Sequence, residues 1–231
     1  MIEVKNAVKK YRKVRAMDDL SFCVNEGKIT ALLGLNGAGK STTMKAIMGL
    51  IKLDSGEILI DGEKFSSKIL QKVSLIPDVP VHYPNMTIKE MFAYMEVFYD
   101  NWSMEKAYEM LKVFKLTEDK KISELSKGNV ARVKLIVGFA QCPKYLLMDE
   151  PFSGIDIFTR EDFIKTMINY MNEDTTILLT THEIKEIENL ADEVILVEEG
   201  KVISQFNVED VRSEQGLSMV DKIREVYKGE E

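Results

Sequence analysis

Cysteine is almost missing from this sequence: 231 residues hold two, Cys23 and Cys142, far apart in the chain. They match no metal-ligand spacing and build no disulfide framework. Both read as small buried apolar side chains in a reducing compartment. Long apolar runs are missing too, and none approaches the roughly 18–20 residues that a membrane-spanning helix needs. Residues 1–15 are basic but lack an apolar stretch, so no secretory signal is expected and the chain reads as soluble. There is no internal repeat, no low-complexity tract and no proline- or glycine-rich linker, which leaves one large domain or one with a sub-lobe. Positive charge is in deficit, with 31 Lys and Arg against 38 Asp and Glu and a net charge of −7. That balance argues against nonspecific affinity for nucleic acid. A local basic cluster (Lys5, Lys9, Lys10, Arg12, Lys13, Arg15) reads first as a solvated face, with phosphate binding left open.

What the sequence does contain is an ordinary globular composition, 45% hydrophobic and 30% charged. A chain of this length buries about 70–75% of its unfolded surface without covalent staples. Short apolar, β-branched runs alternate with amphipathic stretches. Val73–Ile76, Tyr145–Met148, Thr176–Thr180 and Val194–Val197 lack polar alternation, the pattern of strands buried on both faces in a parallel sheet. Ile2–Val4 and Ile58–Ile60, the latter flanked by Asp54-Ser55-Gly56 and Asp61-Gly62, predict an antiparallel piece with tight turns. Glu198-Glu199-Gly200-Lys201 predicts a late hairpin. Thr87 with Glu90 forms a capping box before Ile88, Met91, Phe92, Met95, Phe98 and Tyr99, one apolar helical face. A second helix, over about 104–115, aligns Ala107, Met110, Leu111 and Phe114. A short closing helix carries Val220, Ile223, Val226 and Tyr227. Together these predict an α/β core formed by residues 1–79 and 141–231, with a helical lobe inserted at 80–140.

The strongest motif is Gly34-Leu35-Asn36-Gly37-Ala38-Gly39-Lys40-Ser41, a G-x-x-x-x-G-K-[ST] pattern between an apolar strand (Ile29–Leu33) and a helix (Thr42–Leu50). Its glycines let the backbone N–H groups of 37–42 turn inward around a phosphate, where the helix start adds a positive dipole end. Lys40 is suited to neutralise β- and γ-phosphates and the Ser41 hydroxyl to ligate Mg²⁺. Downstream, the strand Tyr145–Met148 ends in Asp149 and Glu150. Asp149 is a candidate for holding Mg²⁺ through water, and Glu150 for accepting a hydrogen bond from an attacking water. Leu125-Ser126-Lys127-Gly128-Asn129 precedes a helical pattern, so Ser126 and Gly128 make either a plain cap or a second anion site. His182 follows a buried strand, at the sheet edge where ligands of open α/β sheets collect.

In this order the motifs resemble the nucleotide-binding subunit of ATP-binding cassette (ABC) ATPases over nearly the whole chain, and most closely small bacterial antibiotic-resistance and exporter-type cassettes. Gly34–Thr42 is similar to the Walker A loop, and Leu146–Asp149 with Glu150 to the Walker B strand and catalytic carboxylate. Leu125–Asn129 resembles the signature LSGGQ, Ser153-Gly154-Ile155-Asp156 the D-loop SGLD, and His182 the switch histidine. Tyr11 stands where the family stacks an aromatic ring on adenine. Two positions depart from the pattern. Ile76-Pro77-Asp78 replaces LPQ, so a carboxylate that could face Mg²⁺ stands where Gln is usual. The signature reads LSKGN, with Lys127 expected to point to solvent.

The resemblance implies a P-loop NTPase fold: a RecA-like parallel-sheet core, an N-terminal antiparallel β subdomain and an inserted α-helical lobe. It implies ATP and Mg²⁺ as ligands, with Lys40, Glu150 and His182 in catalysis and Ser41, Asp149 and Asp78 around the metal. Tyr11, Gly34, Asn36, Gly37, Ala38, Gly39, Thr42, Ser126, Gly128 and Asp156 complete the nucleotide site. It also implies a head-to-tail pair, either two copies or one copy with a paralogue, and a separate transmembrane permease subunit. That permease would hold the chain on the inner face of the cell membrane, with Met- and aromatic-rich lobe residues (Tyr83, Met86, Met91, Tyr94, Phe98, Trp102) as docking candidates. Direct nucleic-acid binding is not expected. Two other readings are weighed: a soluble cassette ATPase acting on ribosomes or DNA, and a P-loop kinase that passes phosphate to an acceptor instead of water.

Overall fold

Residues 1–79, 83–172, 174–182 and 184–229 are described by the computed structural model, and they divide into two compact units. The first unit comprises Met1–Leu70 and Thr176–Glu231, the second Gln71–Thr175. The chain begins in the first unit with strands β1 (Ile2–Tyr11), β2 (Val14–Val24) and β3 (Ile29–Leu33), then helix α1 (Lys40–Ile47). Strands β4 (Ser55–Ile60) and β5 (Glu63–Lys64) and the short helix α2 (Ser67–Leu70) follow. Four of these strands form an antiparallel sheet in the order β2-β1-β4-β5. Its register pairs Ile2 with Ile60 and Val4 with Ile58, as the turn signals predict. Strand β2 is not among the strands that the sequence predicts, and β1 runs well past the expected Ile2–Val4. Asn6 and Asp19 take positive φ at register shifts in β1 and β2, and the Asn6 Nδ2–H donates to Asp19 Oδ1 at 2.9 Å. These bulges break the in-out alternation that would otherwise mark two long strands.

The second unit opens with β6 (Val73–Ile76) and continues through α3 (Ile88–Phe98), α4 (Met104–Val113), a single 3-10 turn at Ile122–Glu124 and α5 (Lys127–Ala140). Strand β7 (Tyr145–Asp149) and helix α6 (Ile157–Tyr170) complete it. β6 pairs parallel with β7 from Val73↔Tyr145 to Ile76↔Met148. Gly138 lets α5 lie close on this pair, since a Cβ there would sit 2.7 Å from Ile76 Cδ1 and 3.3 Å from Leu146 Cδ1. The capping box is present: Thr87 Oγ1 accepts from the Glu90 N–H, and the Glu90 carboxylate accepts from the Thr87 N–H at 2.8 Å. That hydrogen bond holds the Glu90 carboxyl below the usual carboxylate range. Ile88, Met91, Phe92 and Met95 are buried as expected, but Phe98 is 55% exposed. It lies one turn after Tyr94 and packs on that ring instead, at 4.7 Å between centroids. The lobe expected from residue 80 has its first three residues, 80–82, outside the described set.

The chain returns to the first unit with β8 (Thr176–Thr180), α7 (Ile184–Ile187), β9 (Glu193–Glu198), β10 (Lys201–Asn207), α8 (Val208–Gln215) and α9 (Met219–Lys228). β3 runs parallel between β8 and β9, and β10 closes antiparallel on β9. All of β3, β7 and β8 and all but the last residue of β9 are buried, as their unbroken apolar pattern predicts. Each such Leu, Ile or Val removed from water contributes about 1.5–3 kcal/mol. The fold is α/β with a mixed, largely parallel sheet and an antiparallel β subdomain. Neither cysteine is buried as expected: Cys23 is half-buried in β2 and Cys142 is exposed. Cys142 takes φ 46° just past the end of α5, where a left-handed residue terminates a helix at the surface.

Candidate nucleotide site

In the first unit the chain leaves β3 into a loop that only glycine can build at two points. A Cβ on Gly34 would overlap the Val197 carbonyl oxygen, and one on Gly39 the Ala16 carbonyl oxygen. Gly39 also holds φ 103°, outside ordinary L-residue space. Gly37, at φ 87°, has open space around it. The loop closes through an Ala38 N–H to Leu35 carbonyl bond of 3.1 Å, and α1 then begins with Gly39 as its N-cap.

That start differs from the other long helices. Thr87, Ser103, Ser126, Asp156, Asn207 and Ser218 each cap a helix by accepting a backbone N–H on a side-chain oxygen. Gly39 has no side chain to do so, and α1 carries no side-chain cap. First-turn amides and the positive helix end thus face the loop. Lys40 is only 7% exposed, and its Nζ donates to the carbonyls of Gly34 at 2.8 Å and Leu35 at 3.2 Å. A buried ammonium beside uncapped amides makes an anion cradle, which suits a polyphosphate. Asn36 and Gly37 are exposed at the loop's crest, Ala38 is buried, and Ser41 and Thr42 are half-buried in the first turn of α1. Tyr11 ends β1 at a two-residue hairpin, 45% exposed, with Lys9 Nζ 5.6 Å from its ring centroid. His182 follows β8 and is exposed.

The second unit holds the carboxylates. Asp149 ends β7 and is 7% exposed. Glu150 next to it is half-buried and takes φ 47°. The left-handed region costs a residue with a Cβ about 1–2 kcal/mol, and such strain collects at functional positions. A tight turn follows it: the Ser153 N–H donates to the Glu150 carbonyl at 3.0 Å, with Pro151 second in the turn. Phe152 anchors the turn, fully buried and edge-on to Phe163 of α6 at 5.5 Å. Asp156 caps α6, its Oδ1 accepting from the Thr159 N–H at 3.0 Å and its Oδ2 from the Thr159 hydroxyl at 2.7 Å. Ser126 caps α5 through the Asn129 N–H at 3.3 Å. Gly128 stands over Thr159, whose Cγ2 would lie 3.4 Å from an added Cβ. Lys127 is exposed, as expected.

Within this unit a cavity of about 320 Å³ is lined by Asp78, Leu125, Lys127, Lys134, Glu150 and Ser153, with apolar walls from Ile76, Val130, Ile155 and Phe163. Sequence reasoning does not single out Lys134. Its Nζ donates to the carbonyls of Pro77 and Asp78, both at 2.7 Å. Burial holds the ammonium below the usual lysine range, partly offset by the nearby Asp78 charge. The signal that could have found it is a lone cation entering the buried run Leu135–Ala140. Among the described residues no group of three or more His, Cys, Asp or Glu could hold a metal ion by itself.

Known proteins resemble this chain in sequence and fold. Residues 17–153 match the family described as ABC transporter. The lipopolysaccharide export system ATP-binding protein LptB of Haemophilus influenzae is 30% identical over 242 residues, covering 100% of this chain and 98% of that protein. The SkfA peptide export ATP-binding protein SkfE of Bacillus subtilis is 33% identical over 214 residues, covering 90% of each. A solved ATP-binding subunit of an ABC transporter superposes with a TM-score of 0.87 at 28% identity, over 98% of this chain and 99% of that one. With a family match over more than half its length and relatives aligned nearly end to end, this chain belongs to the ABC transporter family, as an ATP-binding subunit with the ATPase activity of those cassettes.

Proposed function

We propose that the chain is the ATP-hydrolysing motor of an exporter, paired head to tail with a second cassette and docked on a separate transmembrane permease. The observation that carries the nucleotide part is the start of α1, where no side chain caps the helix and Lys40 lies buried against the loop carbonyls. When ATP enters, its phosphates take the place of those carbonyls as partners of Lys40 and receive the N–H groups of 37–42. The Ser41 hydroxyl and the carboxylates of Asp149 and Asp78 are hard oxygen donors of the kind that suit Mg²⁺. They would hold the ion, which would supply positive charge against the phosphates. Glu150 takes the proton of the attacking water, and His182 contacts the γ-phosphate.

Ser126 and Gly128 serve the partner cassette's nucleotide, and Asp156 links the paired sites. Two copies of this chain or one copy with a paralogue would satisfy that geometry. ATP then closes the pair and hydrolysis opens it. Tyr11 stacks on the adenine. Tyr11→Ala is expected to weaken ATP binding by about 1–3 kcal/mol, on the scale of a base stacked on an aromatic ring. Isothermal titration with a nonhydrolysable analogue reads it, and an unchanged Kd would reduce Tyr11 to a packing residue.

Export is supported by the names of LptB and SkfE, both ATP-binding proteins of export systems. Among the described residues no helix is long and apolar enough to cross a membrane, so the transport path is assigned to the permease. The lobe, residues 80–140, supplies the docking surface. Of its Met and aromatic candidates Met91 is buried, while Tyr83, Tyr94 and Phe98 are exposed in a continuous ring contact, 5.8 Å and 4.7 Å between successive centroids. Val97, 79% exposed, extends the patch. Interfaces favour such aromatics. Charge placed there, as in Phe98→Asp or Glu96→Lys, is expected to cut membrane recruitment at least about tenfold, the scale of losing one anchor residue. Recruitment unchanged across both variants would move the docking surface elsewhere. Held this way, the chain lies on the inner face of the cell membrane.

A further inference from the structure

The loop after β6 carries the sequence's main departure from the family pattern, Asp78 where Gln is usual. Two carbonyls of that loop, Pro77 and Asp78, both accept from Lys134 Nζ at 2.7 Å. Lys134 sits two turns into α5, the helix that Ser126 caps. Charge-assisted bonds to two successive carbonyls fix a backbone segment more tightly than one neutral bond would. The ammonium is partly buried and surrenders hydration to make them, a cost that only good partners repay. Its position also sets a positive charge near the exposed Asp78 carboxylate.

We propose that Lys134 is a positioning residue. It fastens the Pro77-Asp78 segment to the helix that begins at the signature Ser126, and places a cation near the carboxylate at position 78. The inference rests on the reading of Asp78 as a residue facing the nucleotide's metal. Its role runs through the backbone that it holds, at the carbonyls of Pro77 and Asp78. With this clamp the Asp78 loop and the Ser126 helix move as one piece, so a displacement of either reaches the other.

The test uses the full chain and three variants, Lys134→Met, Lys134→Arg and Asp78→Gln, with two readouts. The first is the backbone order parameter of the Asp78 and Val79 amides in nucleotide-free protein. In wild type and Lys134→Arg it stays near ~0.85, and in Lys134→Met it falls below ~0.6, while Tyr145–Asp149 does not change. The second is ATP hydrolysis. Lys134→Met lowers kcat roughly tenfold or more with KM for ATP within about twofold, and Lys134→Arg restores most of it, as expected of a residue acting through another. In an Asp78→Gln background the same lysine substitution costs less, because no carboxylate is left uncompensated. Unchanged order parameters in Lys134→Met, or a fall shared equally by Tyr145–Asp149, would overturn the clamp. A loosened loop with wild-type kcat would overturn the positioning role. If Asp78→Gln alone changes nothing and Lys134→Met costs the same in both backgrounds, the reading of Asp78 fails, while the order parameters still decide the clamp.

Discussion

Glu150→Gln is expected to lower ATP turnover by about 10²–10⁴-fold, the range that general-base catalysis contributes, while leaving ATP binding near wild type. The substitution is isosteric and preserves the turn that the Ser153 N–H closes on the Glu150 carbonyl. It asks nothing new of the backbone either, since Gln carries the same Cβ as Glu at the φ of 47°. What it removes is a basic oxygen at the rim of the cavity shared with Asp78 and Lys134. Hydrolysis should fail after binding, so the variant accumulates the closed, ATP-bound pair, visible as an ATP-dependent shift in size-exclusion chromatography. Wild-type turnover in a preparation free of contaminating ATPase would remove Glu150 from the role of base.

Gly39→Ala is expected to be among the most damaging single methyls in the first unit. The added Cβ would overlap the Ala16 carbonyl oxygen, which belongs to backbone and cannot swing aside. It would also have to sit at φ 103°. Together these should cost at least about 3–4 kcal/mol, in the range of severe packing and backbone mutations. The start of α1 must shift in response, so ATP binding is lost along with stability. Gly37→Ala is the control. It too has positive φ but meets nothing within 4 Å, so only the backbone term of about 1–2 kcal/mol applies. Urea unfolding of both variants separates the two terms, and equal losses would show that the Ala16 contact does not constrain the loop.

Much of the fold and of the nucleotide site is legible in the residues alone because the informative features are local. The unbroken apolar runs of β7, β8 and β9 mark strands buried on both faces, and the Thr87–Glu90 pair marks a helix start. The Gly34–Ser41 loop is legible because its glycines accept close approaches and a positive φ that few other residues can. Less legible features depend on backbone geometry or on partners without identity. Strand β2 is hidden because the irregularity at Asp19 interrupts its alternation, as the one at Asn6 does in β1. Phe98 shares the apolar spacing of Met91 and Met95, yet packs on exposed Tyr94 at the end of α3. Cys142 reads as a small core residue, but the end of α5 needs a left-handed residue at the surface and Cys fills that position. Lys134 is the least legible, since its partners are two carbonyls, which every residue has. The strain at Glu150 is likewise invisible in a residue name.

The central claim is that ATP hydrolysis by this chain drives a membrane partner. Its most direct test is to tag the Glu150→Gln variant, capture it with Mg-ATP from detergent-solubilised membranes of its native source, and identify stoichiometric partners by mass spectrometry. The account expects a polytopic membrane protein in fixed ratio to the cassette, retained with ATP and weakened by Phe98→Asp. Recovery of ribosomal or DNA-bound proteins alone, with no membrane protein in fixed ratio, would contradict it.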